Sequence, residues 1–274
     1  GCCLKAKKKN KLRFWLILII AIIIASIFIG FIFRRPIIYY AKLSYHFVFN
    51  NDVQQYKDES CISNLESIFI PEGTVFGIDI SRHQGNIDWD KLSAYRFEYH
   101  KIDFVYIKAT ESYDWSDKNF FRNWKEAKKN KVVRGAYHFF DPNESPEKQM
   151  NNFFNKVRLK KGDLPPMLDV EQESRISTSE YRNKVLKCLK LLEQHYKLKP
   201  LLYINKNFYD SYFFTDGFKD YPLWISSLVK TKPLQKEWVI WQFSHTGIIP
   251  GINEYVDVNV FNGSEEDFKI LIKN

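Results

Sequence analysis

Two carboxylates at the end of a short apolar run are the side chains best suited to chemistry in this sequence. Asp169 and Glu171 flank Val170 in the segment MLDVE. In a strand, residues i and i+2 project from one face, about 6.5–7 Å apart at roughly 3.3 Å per residue, and Val170 points away. Two carboxylates that close repel each other, which raises the pKa of one of them. A protonated acid beside an ionised carboxylate is suited to glycoside hydrolysis. The alternative is that both acids are simply solvated at a strand end.

Two more carboxylates interrupt apolar runs elsewhere in the chain. Asp79 lies between Ile78 and Ile80, and Asp257 lies between two valines. A charge in such a run costs several kcal/mol unless it is paired or faces a polar cavity. We therefore expect both acids to share a cavity with the first pair, at the carboxyl ends of strands. Similar strand ends carry Glu111, His138, Asp141, Asn205, Gln242 and Asn259.

Aromatic and amide side chains near these strand ends are of the kinds that bind sugars. Aromatic rings stack on the apolar faces of pyranose rings, and amides hydrogen-bond to hydroxyl groups. The alternative for each single aromatic residue is a place in the hydrophobic core. The predicted substrate-binding residues are Tyr137, Tyr203, Trp224, Trp241 and Gln242.

The elements that must position these residues alternate along the chain from about residue 75. Short, nearly continuous apolar runs, typical of strands covered on both faces, are mostly followed by helical stretches. Helix starts are predicted at Asp117, at Ser145 before Pro146, at Ser177 and at Ser264, because these side chains can cap a first turn. The eight predicted strands are 75–80, 104–108, 133–139, 166–170, 201–204, 223–226, 239–243 and 255–260.

This alternation predicts an α/β protein, an irregular TIM-like β/α barrel of about eight strands. Strand–helix alternation favours a parallel sheet with helical cover, and eight strands in one domain favour a closed barrel. After Tyr203 the strands come closer together, so the last third should depart from the regular pattern, with some antiparallel pairing. The sequence has no GxGxxG, no P-loop and no internal repeat, and its six histidines are scattered. We therefore predict no cofactor and no metal site.

Length and charge limit the functional classes further. The chain has 274 residues, enough for one large domain with a hydrophobic core, and a formal net charge of +9. Residues 1–35 hold eight basic and no acidic residues, which leaves +1 for residues 36–274. Because the basicity is confined to this segment, nucleic-acid binding is disfavoured. Cys61 and Cys188 could pair in an oxidising compartment; the alternative is that Cys188 is a buried thiol on an apolar helix face.

A run of 20 uncharged, mostly apolar residues, 14–33, follows a basic segment. At about 1.5 Å per residue it spans roughly 30 Å, the thickness of a bilayer's hydrocarbon core. We therefore expect one N-terminal transmembrane helix; the alternative is a cleaved signal peptide, although the apolar cores of signal peptides are shorter. The basic residues before the run favour a cytoplasmic N-terminus and an extracytoplasmic barrel, in the periplasm or at the cell surface. The predicted organisation is a basic cytoplasmic segment 1–13, an anchor 14–33, a stalk 34–72 and a barrel 73–274.

Eight short segments occur in an order that identifies a family. They are FGIDISRHQGNIDW (76–89), VYIKATES (105–112), GAYHFF (135–140), MLDVE (167–171), LLYIN (201–205), LWIS (223–226), WQFS (241–244) and VDVNVF (256–261). Together they resemble the glycoside hydrolase family 25 lysozymes, the Chalaropsis-type N-acetylmuramidases. The resemblance covers about residues 75–262.

This resemblance implies an irregular β/α barrel that hydrolyses the β-1,4 bond between N-acetylmuramic acid and N-acetylglucosamine in peptidoglycan. It implies that Glu171 is the general acid/base. Asp169 would be either a second catalytic carboxylate or the group that orients the substrate N-acetyl group. Asp79 and Asp257 match the family's two other active-site acids.

The resemblance extends to the groove and has one departure. Tyr137 and Tyr203 match positions that line the family's groove, whereas Ser112 follows the glutamate of KATES where the family often has glycine. The leading interpretation is a membrane-anchored, extracytoplasmic muramidase whose partners are the peptidoglycan glycan strand and, through residues 14–33, the lipid bilayer. The alternative is a catalytically weak barrel that binds wall glycan. All four acids are present, which favours the enzyme, because a binding protein needs no protonated acid. Nothing in the sequence indicates the oligomeric state.

Overall fold

The computed structural model describes residues 74–97, 100–228 and 238–272. All of them belong to the second of the two units into which the chain divides, Cys61–Asn274. The predicted basic segment 1–13, anchor 14–33 and stalk 34–72 lie outside the described residues. Within the described part of the chain, no helix is long and apolar enough to cross a bilayer.

Eight strands form a closed barrel at the centre of the fold. They are β1 (Phe76–Ile80), β2 (Phe104–Glu111), β3 (Val133–Phe139), β4 (Met167–Val170), β5 (Leu201–Asn205), β6 (Leu223–Ser226), β7 (Trp238–Gly247) and β8 (Val256–Phe261). Strands β1 to β7 pair in parallel in chain order. Strand β8 runs antiparallel to both β7 and β1, which closes the barrel. The predicted eight-stranded barrel with antiparallel pairing in its last third is confirmed.

Helices cover the outside of this barrel. They are α1 (Trp89–Ala94), α2 (Phe120–Lys129), α3 (Pro146–Lys156), α4 (Thr178–Tyr196), α5 (Lys206–Phe208), α6 (Asp216–Lys219) and α7 (Glu265–Leu271). Outward-facing strand residues such as Ile78 and Val170 are fully buried in one cluster with Phe153 of α3 and Leu189 of α4. Cys188 of α4 belongs to the same cluster as a free, buried thiol. Shorter elements are a 3₁₀ turn (Arg82–Gln84), a ribbon of Arg96–Phe97 and His100–Lys101, a strand Trp115–Ser116 antiparallel to β2, and a π-helical turn (Tyr209–Phe213).

Three of the four predicted helix starts are confirmed by capping hydrogen bonds. The hydroxyls of Ser145, Ser177 and Ser264 each accept a backbone N–H from the first turn of α3, α4 and α7. The prediction for Asp117 is wrong, because α2 begins two residues later, with Asn119 at the N-cap position. The Asp117 carboxylate instead accepts backbone N–H groups from Asn119 and from the turn after β1, so it joins two loops.

Aromatic side chains fill the barrel interior at the amino ends of the strands. Phe104, Tyr106 and Trp224 are fully buried, and the ring centroids of Tyr106 and Trp224 lie 4.9 Å apart. Phe268 of α7 packs against Phe104, with centroids 5.4 Å apart. These rings need Gly135, because a Cβ atom there would lie 2.3 Å from the Tyr106 ring. Inward-facing positions further along the strands are largely polar, so the apolar core gives way to a cavity at the carboxyl ends.

Candidate active site

A cavity of about 320 Å³ opens at the carboxyl ends of the strands. The structure brings together in its wall the four acids singled out from the sequence: Asp79 on β1, Asp169 on β4, Glu171 just beyond β4, and Asp257 on β8. The other lining residues are Ile80, Ser81, His83, Gln84, Lys108, Tyr137, Phe139, Met167 and Tyr203.

Asp169 and Glu171 project from the same face of the chain. Val170 between them is fully buried against the helices, so strand alternation directs both carboxyl groups into the cavity. Asp169 is 6% exposed, whereas Glu171 lies nearer the cavity mouth and is the more exposed of the two. The two carboxyl groups are hydrogen-bonded to each other. Asp169 Oδ1 is buried and has no hydrogen-bond partner among the described residues.

Burial and charge together decide where the proton of this pair resides. Burial raises the pKa of Asp169 well above its usual value, and the negative charge of Glu171 raises it further. Burial and the charge of Asp79 also raise the pKa of Glu171, but the hydrogen bond from Asp169 and the charge of Lys108 lower it. In the ligand-free chain the proton therefore resides on Asp169, the more deeply buried acid. A general acid at Glu171 requires this proton to move outward to Glu171.

Asp79 and Asp257 form a second carboxyl pair, across the antiparallel strands β1 and β8. The two residues are directly opposite in the register and their side chains are hydrogen-bonded. Burial, the charge of Asp79 and this hydrogen bond raise the pKa of Asp257 to about 9. Burial also raises the pKa of Asp79, but hydrogen bonds from Asn259 and Gln242 oppose that rise. Asp257 is therefore protonated at neutral pH and donates to Asp79.

A polar network beneath the cavity holds the Asp79 carboxylate in place. Asp79 Oδ2 accepts from Gln242 Nε2 at 3.1 Å and from Asn259 Nδ2 at 2.9 Å. Gln242 Oε1 in turn accepts from the Tyr203 hydroxyl at 2.9 Å and the Ser226 hydroxyl at 2.8 Å. Asn259 Oδ1 accepts from a buried indole at 3.0 Å. Because both amides are bonded at both ends, Asp79 has one orientation, toward Asp257.

The predicted sugar contacts divide into two groups. Tyr137 and Tyr203 line the cavity, each 7% exposed. Trp224 and Trp241 do not, so the prediction is wrong for both. Trp224 is fully buried in the core below the cavity. Trp241 faces outward, where it packs in the same cluster as Ile78 and Val170 and donates to the carbonyl of Ser227 at 2.8 Å.

Gln242 is likewise not a lining residue. It contacts Asp79, Tyr203 and Ser226, so its role is to support the acid rather than to bind a sugar hydroxyl directly. The strand register explains this, because Gln242 lies level with Asn259 and Gly77, two residues below Asp79 on β1.

Sequence reasoning missed Lys108 and the turn after β1. Lys108 follows Tyr106 on the inward face of β2 and bonds Glu111 Oε2 at 2.7 Å. The sequence does indicate this position of Lys108, because a lysine two positions after a buried strand residue lies on the same face of the strand. The 3₁₀ turn brings His83 and Gln84 to the cavity wall. Its signal was the Ser-x-x-Gln spacing of a capping box, which the structure contains.

Several other polar strand-end residues point away from the cavity. His138 follows the inward-facing Tyr137, so its ring lies on the opposite face, between Thr110 Oγ1 at 2.8 Å and Gln149 Oε1 at 3.2 Å. Burial lowers the pKa of His138 to about 4, so it is neutral. Asn205 caps α5. Within residues 74–97, 100–228 and 238–272, no cluster of three His, Cys, Asp or Glu side chains could hold a metal ion.

Comparison with known proteins adds a family to this geometry. Residues 78–252 match the family model described as glycosyl hydrolases family 25. The chain is 37% identical over 209 residues to the "Uncharacterized protein YegX" of Escherichia coli O157:H7, covering 75% of this chain and 76% of that protein. It is 28% identical over 218 residues to lysozyme M1 of Streptomyces globisporus, covering 73% and 72%. A family 25 glycosyl hydrolase structure from Bacillus anthracis superposes with a TM-score of 0.64 at 33% identity, covering 72% of this chain and 92% of that one. The barrel has four inward carboxylates at its carboxyl end, and the chain is similar to family 25 proteins in both sequence and structure. The chain therefore belongs to family 25 of the glycosyl hydrolases.

Proposed function

We propose that this chain is a muramidase that hydrolyses the β-1,4 bond between N-acetylmuramic acid and N-acetylglucosamine in peptidoglycan. The observation that carries the proposal is the proton-sharing pair of Asp169 and Glu171, held in a cavity of about 320 Å³ among two further acids. The chain's similarity to lysozyme M1 and to a protein named N,O-diacetylmuramidase supports the same reaction.

The two acids of the pair take different roles because their surroundings differ. Glu171 lies at the exposed mouth, where it can reach the glycosidic oxygen of a long glycan strand. Asp169 lies deeper and has an unpartnered oxygen, which can accept the N–H of the substrate's N-acetyl group. Such a hydrogen bond favours the ionised form of Asp169, so the shared proton moves to Glu171 when the substrate binds.

The reaction then proceeds in two steps. Glu171 gives its proton to the leaving oxygen while the N-acetyl oxygen attacks the anomeric carbon, which breaks the glycosidic bond and closes an oxazoline ring. Ionised Asp169 stabilises the positive charge on the N-acetyl nitrogen. Glu171, now a carboxylate, takes a proton from water as the water attacks the anomeric carbon and reopens the ring.

The test is hydrolysis of purified cell walls by Glu171→Gln, followed by turbidity and by identification of the new reducing ends. Glutamine keeps size and hydrogen bonding but cannot donate a proton to the leaving group, so activity should fall at least about 10²-fold. The matched control is Glu173→Gln, which removes an exposed carboxylate two residues away that does not line the cavity. The control should retain activity near that of the native chain. Near-normal hydrolysis by Glu171→Gln would remove Glu171 as the general acid and with it the proposed mechanism. An inactive native chain that still binds glycan would leave the binding barrel as the correct alternative.

Our proposal includes an anchor at residues 14–33 that holds the barrel outside the cytoplasm. Its support is the uncharged run of 20 residues after a basic segment, together with a substrate that lies outside the cytoplasm. The full-length protein should then resist carbonate extraction and dissolve in detergent. A mature N-terminus beyond residue 25 with soluble partitioning would instead establish a cleaved signal peptide.

A further inference from the structure

Lys108 is a residue of the cavity wall to which the mechanism above gives no part. It extends inward from β2, and its side chain is 12% exposed. Its ammonium nitrogen lies 2.7 Å from Glu111 Oε2 and 4.2 Å from the centroid of the Phe139 ring. An ammonium group has three N–H donors, and Glu111 takes one of them. The contacts with Glu111 and Phe139 hold the charge at one place on the wall between β2 and β3.

Lys108 lines the same cavity as the Asp169–Glu171 pair. Its charge lowers the pKa of Asp169 and of Glu171, whereas the charge of Asp79 raises both. Among the described residues that line the cavity, Lys108 is the one lysine or arginine. The other titratable groups facing the pair are Asp79 on β1, His83 in the turn after β1, Tyr137 on β3, Tyr203 on β5, Tyr181 on α4 and Asp257 on β8. The titratable and charged groups near Lys108 on its other sides are Glu111, Arg82 beyond the Trp115 ring and, behind the cavity wall, His138.

We propose that Lys108 is a positioning residue for the reaction: its ammonium, held by Glu111 and Phe139, supplies the positive charge that lets Asp169 and Glu171 hold one proton instead of two. Burial among further acids favours the pair with both carboxyls protonated. In that state Asp169 would be neutral and could not stabilise charge on the substrate. A fixed cation in the same cavity offsets the burial and restores one ionised carboxylate. This inference rests on the proposed muramidase function, because it concerns the proton that Glu171 donates.

The experiment compares four variants of the full-length chain in detergent. Lys108→Met removes the charge and keeps the apolar stem against Phe139, and Lys108→Gln is a second neutral variant should the first fail to fold. Glu111→Gln is the matched control, because it breaks the same ion pair from the other side and leaves the ammonium in the cavity. Lys108→Arg keeps the charge. The measurements are the pH dependence of kcat/KM on cell walls and, without substrate, a ¹³C NMR titration of labelled Asp and Glu carboxyls, assigned with Asp169→Asn and Glu171→Gln.

The sign of the effect separates an electrostatic role from a structural one. Both limbs of the pH profile should move upward by about one pH unit in Lys108→Met, because both apparent pKa values of the pair rise when the cation is removed. Glu111→Gln should leave the limbs in place or move them downward, and Lys108→Arg should restore the native profile. Equal shifts in Lys108→Met and Glu111→Gln, or unchanged limbs in both neutral variants, would overturn the inference. If the native chain hydrolyses no wall at any pH, the muramidase proposal fails, and the NMR titration alone decides whether Lys108 sets the protonation of the pair.

Discussion

The carboxyl pair of Asp79 and Asp257 allows a stability prediction that does not depend on substrate. Asp257 is protonated in the folded barrel and donates to Asp79, whose carboxylate is held by two amides. The substitution Asp257→Asn replaces this protonated carboxyl with a neutral group that can also donate a hydrogen bond. We therefore expect the variant to be more stable than the native chain at neutral pH, although it removes an acid from the cavity.

The magnitude follows from proton linkage. In the unfolded chain the pKa of Asp257 is near its ordinary value of 3.8, and in the folded barrel it is about 9. Folding at pH 7 therefore takes up a proton, which costs at most about 4 kcal/mol at about 1.36 kcal/mol per pKa unit. Since the folded state binds the extra proton, the native chain is most stable below the unfolded pKa and loses stability as the pH rises toward the folded one. Asparagine binds no proton in either state, but its second N–H must be accommodated, so we expect a net gain of about 2 kcal/mol at pH 7.

The assay is thermal unfolding of both proteins between pH 4 and pH 8. A gain of 2 kcal/mol in a domain of this size corresponds to a rise in Tm of about 4–8 °C at pH 7, and the difference should vanish near pH 4. Glu254→Gln serves as the control, because Glu254 is exposed and does not line the cavity. A difference in Tm between Asp257→Asn and the native chain that does not change with pH would refute the reasoning, as would a variant less stable than the native chain at pH 7.

Three further predictions concern the pair at β4, a backbone conformation and the barrel core. Asp169→Asn should lower wall hydrolysis at least about 10²-fold. It should also move the alkaline limb of the pH–rate profile downward, since the second proton no longer leaves against a like charge; an upward movement would contradict this. Ser112 has φ +50° and donates to Asp141 Oδ2 at 3.0 Å. Ser112→Ala and Ser112→Gly both lose this hydrogen bond, but only alanine has a Cβ atom that disfavours the left-handed backbone. Ser112→Ala should therefore be about 1 kcal/mol less stable than Ser112→Gly in thermal unfolding. Gly135→Ala should destabilise by about 3 kcal/mol or more, because its Cβ would lie 2.3 Å from the Tyr106 ring. Gly217→Ala in α6, where the nearest atom would be 3.5 Å away, should be neutral or stabilising, and equal stability of the two variants would disprove the packing argument.

The strands could be predicted because each is a local pattern bounded by polar residues. All eight predicted strands overlap the observed ones, and the alternation that places Asp169 and Glu171 on one face depends only on strand geometry. The same alternation argues against one predicted sugar contact: Trp241 is adjacent to Gln242, so the two side chains cannot both face inward. Alternation does not exclude Trp224, which faces inward but lies too deep in the barrel to line the cavity. Depth inside a barrel depends on how neighbouring strands are staggered, and no single strand contains that information.

What the sequence determined by itself was the alternation of elements, the eight strands and the set of acids at their ends, because these depend on residue type and short spacing. Only the tertiary structure decided that Asp79 and Asp257 form a second pair. Asp79 meets Asp257, which lies 178 residues later in the sequence, because β1 and β8 lie side by side and antiparallel. It also decided where the protons reside, since a carboxyl's pKa depends on its burial and on nearby charges. The charges of Asp79 and Lys108, which act on the Asp169–Glu171 pair, come from distant parts of the chain. Folding brings together charged residues that are distant in sequence, and their combined electric field acts on the carboxyl groups of the cavity. For this reason the acids themselves could be predicted from the sequence, whereas which of them are protonated could not.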